Sequence, residues 1–383
     1  MTPPVTARSS PISLYVHVPF CVSRCRYCDF ASEVRDEGRV ARYRAALSRE
    51  IELTACAGRR LETIYIGGGT PTCIGATALL GLMDEIASAF DASALREWTI
   101  EANPGTVERG MLGEMRARGA DRISLGAQSF DDALLELLGR IHTAAEAERA
   151  LRDARDAGFR NVSLDLIYGL PGQTLEGVRD DAARAVDLAP EHVSVYGLTY
   201  EEGTELTRRR DAGELAPAGE ELERSMYEAL MTDLPAAGYE QYEIASFATD
   251  GLYSRHNTAY WTGREYLGLG PAAASYLGGA RRTNVRSLDD YVRMVSDGVL
   301  PVAESESLDP AASAREALVL ALRLRRGVDP GRFESRTEYG LAELLGEEGR
   351  GLVDRGHLEW VDGRLRIARA SLPVADAILA KLV

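Results

Sequence analysis

Long apolar runs, excess positive charge and dispersed cysteines are all missing from this sequence of 383 residues. No run approaches the roughly 18 apolar residues that a membrane-spanning helix needs, and residues 1–11 lack the apolar core of a signal peptide. Lys and Arg number 44 against 59 Asp and Glu, so a nucleic acid would meet a net charge of −15. These absences predict a cytoplasmic protein without a nucleic-acid partner.

The cysteines are too few and too clustered for a disulfide framework, which indicates metal binding or redox chemistry. Three of the five lie within eight residues, at Cys21, Cys25 and Cys28. Thiols at this spacing reach three corners of a 4Fe-4S cluster, and the fourth iron stays open because no further cysteine follows nearby. Zinc with His17 as a fourth ligand is the alternative, although structural zinc sites usually combine two separated pairs of ligands. We interpret the remaining two, Cys56 and Cys73, as small apolar residues of the core.

Six βα units are predicted between Ile12 and about Tyr200, where short apolar runs alternate with helical stretches. The predicted strands are Ser13 to Val18, Thr63 to Ile66, Glu97 to Glu101, Arg122 to Leu125, Val162 to Ile167 and Val193 to Leu198. The predicted helices include Arg39 to Leu53, Gly75 to Phe90, Ala144 to Ala157 and Gly177 to Leu188. This pattern is typical of an α/β fold with a partial (β/α)6 barrel, whose chemistry lies at the carboxyl ends of the strands.

The domain organisation that we predict has four parts. A flexible N-terminus (1–11) precedes the partial barrel (12–200), a mixed α/β region of strands and loops follows (201–307), and a helical domain ends the chain (308–383). In the last part, Asp362 and Gly363 predict a hairpin turn, which together with the helices resembles a small winged-helix module. We interpret it as a packing domain because DNA recognition would require a basic helix.

Polar groups cluster after the predicted strands. The segment Gly67 to Thr72 brings its backbone close to a ligand and can bind the polar end of an amino acid. Glu101, Gln128, Arg140 and Asp165 lie at or near other strand ends. Arginine suits a carboxylate, and Glu, Gln and Asp suit hydroxyl groups. The alternative interpretation is that these four cap helices or pair with one another.

The cysteine spacing after a first strand resembles the signature of the radical S-adenosylmethionine (SAM) superfamily. Over nearly its full length the chain resembles the branch that contains oxygen-independent coproporphyrinogen III dehydrogenase and the HemW-type haem chaperones. The resemblance rests on the segments Tyr15 to Cys21, Gly67 to Thr72, Asp165 to Gln173 and His256 to Trp261.

This resemblance implies that the open iron chelates the amino and carboxylate groups of SAM and that an electron from the cluster cleaves SAM to a 5′-deoxyadenosyl radical. Tyr15 would then lie against the cluster. By matching position, the residues that line the SAM region would be Tyr27, Gly68, Gly69, Thr70, Glu101, Gln128, Arg140 and Asp165. In the dehydrogenases some of these contact a second SAM.

Two differences from the dehydrogenases and one further segment favour the chaperone branch. The dehydrogenases share a fourth cysteine in a CxxxCxxCxC motif, where this chain has Phe30. The dehydrogenases also share an N-terminal arm that is longer than the residues before the first predicted strand of this chain. The HNxxYW segment is associated with haem in HemW-type proteins, which implies that His256 is the iron ligand. Its aromatic neighbours Tyr260 and Trp261 offer flat apolar surface to a macrocycle. A departure from the family is Ala274, where many relatives have histidine.

The other four histidines are interpreted as structural: His17, His142, His192 and His357.

The resemblance to the HemW-type proteins implies a carrier of haem as cargo, which it delivers to respiratory haem proteins. Membrane contact would be peripheral, and a homodimer is left open. Two alternatives are kept, namely coproporphyrinogen III dehydrogenation and a radical methyltransferase or haem-modifying activity, so whether the chain is an enzyme stays open.

Overall fold

The computed structural model describes residues 10–54 and 59–383, so the interpretation of Cys56 lies outside the described residues. Strands alternate with helices along most of the chain. The described strands are β1 (Ile12–Val18), β2 (Phe20–Cys21), β3 (Glu33–Val34), β4 (Leu61–Gly68), β5 (Glu97–Ala102), β6 (Arg122–Gln128), β7 (Asn161–Tyr168), β8 (His192–Gly197), β9 (Glu240–Gln241), β10 (Ser246–Ala248), β11 (Tyr266–Leu269), β12 (Ala274–Leu277), β13 (Ala280–Asn284), β14 (Val302–Ser307), β15 (Leu358–Val361) and β16 (Arg364–Ile367).

The helices begin after the first strands and dominate the end of the chain. They are α1 (Glu37–Leu53), α2 (Ala76–Ala89), α3 (Arg109–Ala117), α4 (Asp132–Leu138), α5 (Ala144–Asp156), α6 (Leu175–Leu188), α7 (Glu205–Asp211), α8 (Glu220–Ala236), α9 (Arg255–Trp261), α10 (Leu288–Ser296), α11 (Pro310–Leu322), α12 (Pro330–Thr337), α13 (Leu341–Asp354) and α14 (Ala375–Leu379). None of the described helices is long and apolar enough to span a bilayer.

The chain forms two compact units and passes repeatedly between them. Unit 1 contains the described residues up to 162 together with 200–208 and 265–306. Unit 2 contains 163–199, 209–264 and 307–383. Each unit is therefore built from segments that are distant in sequence.

Unit 1 is organised around β1, which pairs in parallel with β4 on one side and with β11 on the other. The strand order is β14-β13-β12-β11-β1-β4-β5-β6. Strands β4, β5 and β6 are also parallel to one another. Six of the seven residues of β1, all but Tyr15, are buried, which is the pattern expected of a central parallel strand covered on both faces.

A buried carboxylate joins distant parts of unit 1. Glu50 on α1 accepts hydrogen bonds from the Gly270 amide, the Tyr291 hydroxyl and the Asn284 side-chain amide, each at 2.7 Å. Burial raises the pKa of Glu50 to about 7, although these three hydrogen bonds oppose the shift. Helix α1, the end of β11, β13 and α10 thus meet at one titratable group.

Unit 2 holds the parallel pair β7 and β8, with β10 antiparallel to β8 and β9 antiparallel to β10. The register places Ser163 opposite His192 and Asp165 opposite Ser194. Near the end of the chain, β15 and β16 form a hairpin. Its turn residues Asp362 and Gly363 both have positive φ, as a two-residue type I′ turn requires, so the predicted hairpin is confirmed.

All six predicted strands of the βα series are present. Five are one to four residues longer than predicted, and the sixth, β8, begins and ends one residue earlier. The structure differs from the predictions in the mixed region. Arg255–Trp261 is a helix rather than a strand or loop, because the Ser254 side chain caps it at Asn257 and one helix face buries His256 and Ala259. The glycine-rich stretch supplies β11, which extends the parallel sheet beside β1.

Candidate functional site

The three clustered cysteines lie directly after β1. Cys21 ends β2, and Cys25 and Cys28 follow in a loop in which the Cys28 amide donates to the Cys25 carbonyl at 3.3 Å. The loop is held from outside, since the Arg26 amide donates to the Leu138 carbonyl at 2.9 Å. All three thiols are free and half-buried.

These thiols are close enough to influence one another. Burial is the main reason that the pKa of Cys28 rises to about 11, and the charges of Cys25 and Cys21 raise it further. Burial also raises the pKa of Cys21. Within the part of the chain that the structure describes, no three His, Cys, Asp or Glu side chains are arranged to hold a single metal ion. Since a cubane cluster binds each thiolate at a separate iron, the donor set fits a 4Fe-4S cluster better than one zinc ion.

Arg140 lies beside this loop. Its Nη1 donates to the Cys25 Sγ at 3.3 Å and its Nη2 donates to the Gly126 carbonyl at 2.7 Å. Burial alone would lower the pKa of Arg140, but the charges of Tyr27 and Cys25 and the hydrogen bond to Cys25 raise it. The guanidinium therefore brings a fixed positive charge to the cysteine loop.

The glycine-rich loop that follows β4 approaches the first cysteine through the backbone. The Gly69 amide donates to the Val18 carbonyl at 2.9 Å, and the Thr70 amide donates to the Phe20 carbonyl at 2.6 Å. A Cβ atom added at Gly69 would collide with the Phe20 carbonyl, so only glycine permits this approach. The Thr70 hydroxyl lies 3.7 Å from the Cys21 Sγ.

Glu101 connects two other parts of the site. Its carboxylate accepts from the Tyr65 hydroxyl at 2.6 Å and from the Gly68 amide at 3.1 Å. The first of these bonds joins neighbouring strands β5 and β4. The second holds the glycine loop to the end of β5, where sequence analysis placed Glu101.

Gln128 closes β6 in an uncommon conformation, with φ of 69°. A Cβ atom added at Gly126 would meet the Gln128 Nε2 at 2.7 Å and the Arg140 Nη2 at 3.3 Å, so these two side chains meet over the glycine. A non-glycine residue with positive φ is uncommon and is often found at a functional site.

His17, which was interpreted as structural or, in the zinc alternative, as a fourth ligand, contacts three separate segments of unit 1. The His17 Nε2 lies 2.8 Å from the Ala31 carbonyl, which can only accept, so this nitrogen carries the proton. The Nδ1 then accepts from the Tyr15 hydroxyl at 2.9 Å. A Cβ atom at Gly68 would lie 2.5 Å from the ring. Both ring nitrogens are thus engaged, which argues against His17 as a zinc ligand.

Two predicted site residues belong to unit 2. Asp165 lies on β7, where the Ser163 hydroxyl is 3.4 Å from its carboxylate. His256 lies on α9 and is only 1% exposed, and its Nε2 is 2.8 Å from the Tyr260 hydroxyl. The neighbouring Trp261 ring packs against the Arg323 guanidinium at 4.6 Å.

His142, His357 and the fourth described cysteine, Cys73, have ordinary structural surroundings. His142 is buried between the Asn103 side chain and the Ala127 carbonyl, and burial lowers its pKa to about 4. His357 lies 3.1 Å from the Ser371 hydroxyl. Cys73 is buried, and burial raises its pKa to about 12.

A model of the radical SAM superfamily matches residues 15–185. Heme chaperone HemW of Bacillus subtilis is 37% identical over 347 residues, covering 90% of this chain and 92% of the relative. Heme chaperone HemW of Mycobacterium tuberculosis is 36% identical over 382 residues, covering 97% and 95%. The chain belongs to the HemW family of radical SAM proteins.

Membership of the HemW family agrees with the fold. Coproporphyrinogen III oxidase (HemN) from Escherichia coli superimposes with a TM-score of 0.84 over 99% of this chain and 91% of that protein, at 24% identity. This likeness shows a radical SAM fold. The superfamily to which this HemW-family chain belongs uses a 4Fe-4S cluster and SAM.

Proposed function

We propose that this HemW-family protein is a radical SAM haem chaperone, which binds haem and delivers it to respiratory haem proteins. The observation that carries the proposal is similarity to proteins named heme chaperone HemW across nine-tenths or more of both chains. Haem-accepting respiratory proteins are the proposed partners. Contact with a membrane would be peripheral, and self-association as a homodimer is part of the same proposal.

Within unit 1, we infer that Cys21, Cys25 and Cys28 hold the cluster. Bound there, a 4Fe-4S cluster would supply an open iron for SAM and an electron. The chain's own residues would shape its surroundings: Arg140 supports the Cys25 thiolate, and Thr70 approaches the Cys21 sulfur. Tyr15 would lie against the cluster. By matching position, the residues that would line the SAM region are Tyr27, Gly68, Gly69, Thr70, Glu101, Gln128, Arg140 and Asp165.

For haem, the proposed iron ligand is His256. Its ring is buried and its Nε2 faces the Tyr260 hydroxyl, so coordination through Nε2 requires that this hydrogen bond be exchanged for the bond to iron. Neutral imidazole is a common axial ligand of haem iron, and Tyr260 and Trp261 lie on the same helix as His256.

Coproporphyrinogen dehydrogenation is the competing activity that the shared fold permits. Phe30, which occupies the position of the additional cysteine in the dehydrogenases, is 61% exposed and offers no thiol. We therefore treat turnover of coproporphyrinogen III as an outcome that would overturn the chaperone proposal.

The test is an anaerobic haem titration of cluster-reconstituted protein, with wild type beside His256→Ala and the matched control His357→Ala in the same unit. We expect stoichiometric haem binding that His256→Ala weakens and His357→Ala leaves intact, with no coproporphyrinogen III turnover in the same preparation. Decarboxylation without specific haem binding would favour the dehydrogenase. Equal haem binding by all three proteins would remove His256 as ligand.

A further inference from the structure

A buried row of polar side chains crosses unit 2 beside Asp165. Ser163 and Asp165 are two residues apart on β7 and so point to the same face of the sheet. The strand register places His192 of β8 directly opposite Ser163. Ser163 and His192 are completely buried, and Tyr242 is nearly so.

These side chains form one continuous hydrogen-bonded series. The Ser163 hydroxyl lies 3.4 Å from the Asp165 Oδ1 and 2.8 Å from the His192 Nδ1. The His192 Nε2 lies 2.8 Å from the Tyr242 hydroxyl, which also accepts from the Ser254 amide at 3.2 Å. The series thus joins Asp165 to Ser254 through three buried side chains.

The direction of each bond follows from the acceptor at one end. An ionised carboxylate only accepts, so the Ser163 hydroxyl donates its single proton to Asp165 and accepts from the His192 Nδ1–H. The neutral His192 ring then has an unprotonated Nε2, which accepts from the Tyr242 hydroxyl. This agrees with the Ser254 amide donating to the Tyr242 oxygen. Each bond therefore fixes the next, and the His192 tautomer is set by its neighbours.

The far end of the series reaches the HNxxYW helix. The hydroxyl of Ser254 accepts from the Asn257 amide at 3.2 Å and caps α9, the helix that carries His256. Tyr242 holds the backbone amide of the same Ser254. His192 accordingly lies between the carboxylate of Asp165 and the cap of α9.

We propose that His192 is a positioning residue that holds Asp165 for SAM through Ser163 and holds the start of the haem-binding helix through Tyr242. The inference rests on the proposed function, in which Asp165 lines the SAM region and His256 binds iron. A buried imidazole whose two nitrogens bond opposite neighbours can do both, whereas an apolar side chain of similar size would remove one hydrogen bond from Ser163 and one from Tyr242.

The test compares dissociation constants for SAM and for haem, measured separately on anaerobic, cluster-reconstituted protein. Ser163→Ala breaks the series between His192 and Asp165, and Tyr242→Phe breaks it between His192 and the Ser254 amide. We expect about five- to tenfold weaker SAM binding in the first and about five- to tenfold weaker haem binding in the second, since the first loses the hydrogen bond to Asp165 and the second loses the hydrogen bond from the Ser254 amide. His192→Leu should weaken both.

Rescue separates positioning from bulk stability. The amide of His192→Gln can donate to Ser163 and accept from Tyr242 at once, so this variant should restore both affinities toward wild type even if its melting temperature is lowered. The inference is overturned if wild type binds SAM and haem while Ser163→Ala and Tyr242→Phe bind both unchanged. Failure of wild type to bind either ligand would overturn the proposed function itself, and the inference with it.

Discussion

At the scale of single residues, the structure of α9 shows a feature of His256 that the HNxxYW motif does not indicate. The motif indicates an available imidazole, whereas the structure shows an imidazole engaged by the Tyr260 hydroxyl with the two rings edge to face. Spacing alone could not reveal this, because the i and i+4 positions become neighbours only once the segment is a helix. Binding to iron would therefore compete with an internal hydrogen bond.

Removing that competition gives the first prediction. Tyr260→Phe should tighten haem binding roughly fivefold, because the His256 Nε2 no longer gives up a hydrogen bond worth about 1 kcal/mol. The measurement is a haem titration of cluster-reconstituted protein beside wild type. A variant that binds as weakly as His256→Ala would show instead that the Tyr260 hydroxyl itself supports haem.

Arg140 gives the second prediction. Its guanidinium donates in two directions, to the Cys25 Sγ and to the Gly126 carbonyl, and a lysine ammonium has no comparable planar fork. Arg140→Lys should retain the positive charge but bind SAM about tenfold more weakly, as read by equilibrium binding with iron and sulfide content measured in parallel. Arg152→Lys, on the exposed side of α5, is the matched control. Unchanged SAM affinity in Arg140→Lys would show that charge alone suffices.

At the scale of elements, the βα series was predictable because buried parallel strands are short runs of β-branched and aromatic residues between amphipathic helices. Helix α9 was not, since its seven residues have no helical period and depend on the Ser254 cap. The pairing of β11 with β1 was not predicted, because a four-residue run with a glycine does not indicate which strand it pairs with. Tertiary pairing decides such short elements.

The candidate site divides in the same way. Residue types and spacing identified the cysteines and the polar residues that follow the strands, because each bears a recognisable group at a strand end. The contacts of His17 with Tyr15, Ala31 and Gly68 were not predicted, since they join segments that only the fold brings together. The same is true of the series through His192.

The glycine loop gives the third prediction. Gly69→Ala should prevent normal cluster assembly, because the added Cβ collides with the Phe20 carbonyl and must displace the strand that carries Cys21. Iron and sulfide content after anaerobic reconstitution should fall well below that of wild type.

Gly81→Ala is the control for that substitution. Gly81 lies inside α2 with open space where an added Cβ would lie, so alanine there should stabilise the helix by about 1 kcal/mol and leave cluster content unchanged. Normal iron and sulfide content in Gly69→Ala would mean that the loop can retreat from Phe20 without cost.

At the scale of the whole molecule, Glu50 makes stability depend on pH. Its pKa is about 7 in the folded protein against an ordinary 4.5, so the folded state holds the proton more tightly. The stabilisation from this difference is fully present below pH 4.5 and is lost as the pH rises through about 7. The total effect is roughly 3 kcal/mol.

The fourth prediction follows from that sign. Between pH 5 and pH 8, the melting temperature of wild type should fall relative to that of Glu50→Gln, since glutamine has no proton to lose. Thermal unfolding of both proteins at several pH values measures the difference between their melting temperatures. Groups that titrate in both proteins contribute equally and cancel in this difference. Parallel pH profiles would show that Glu50 does not titrate in this range.

The position of β1 also means that one of its partner strands is synthesised long after β1 itself. Ser13 at one end of β1 pairs with Tyr266, about 250 residues later in the chain. A ribosome adding on the order of 5 to 20 residues per second needs roughly 10 to 50 s to deliver that partner. During this interval the nascent chain carries an apolar strand with one open edge, which is where holding chaperones would bind and where a stalled or truncated product would aggregate.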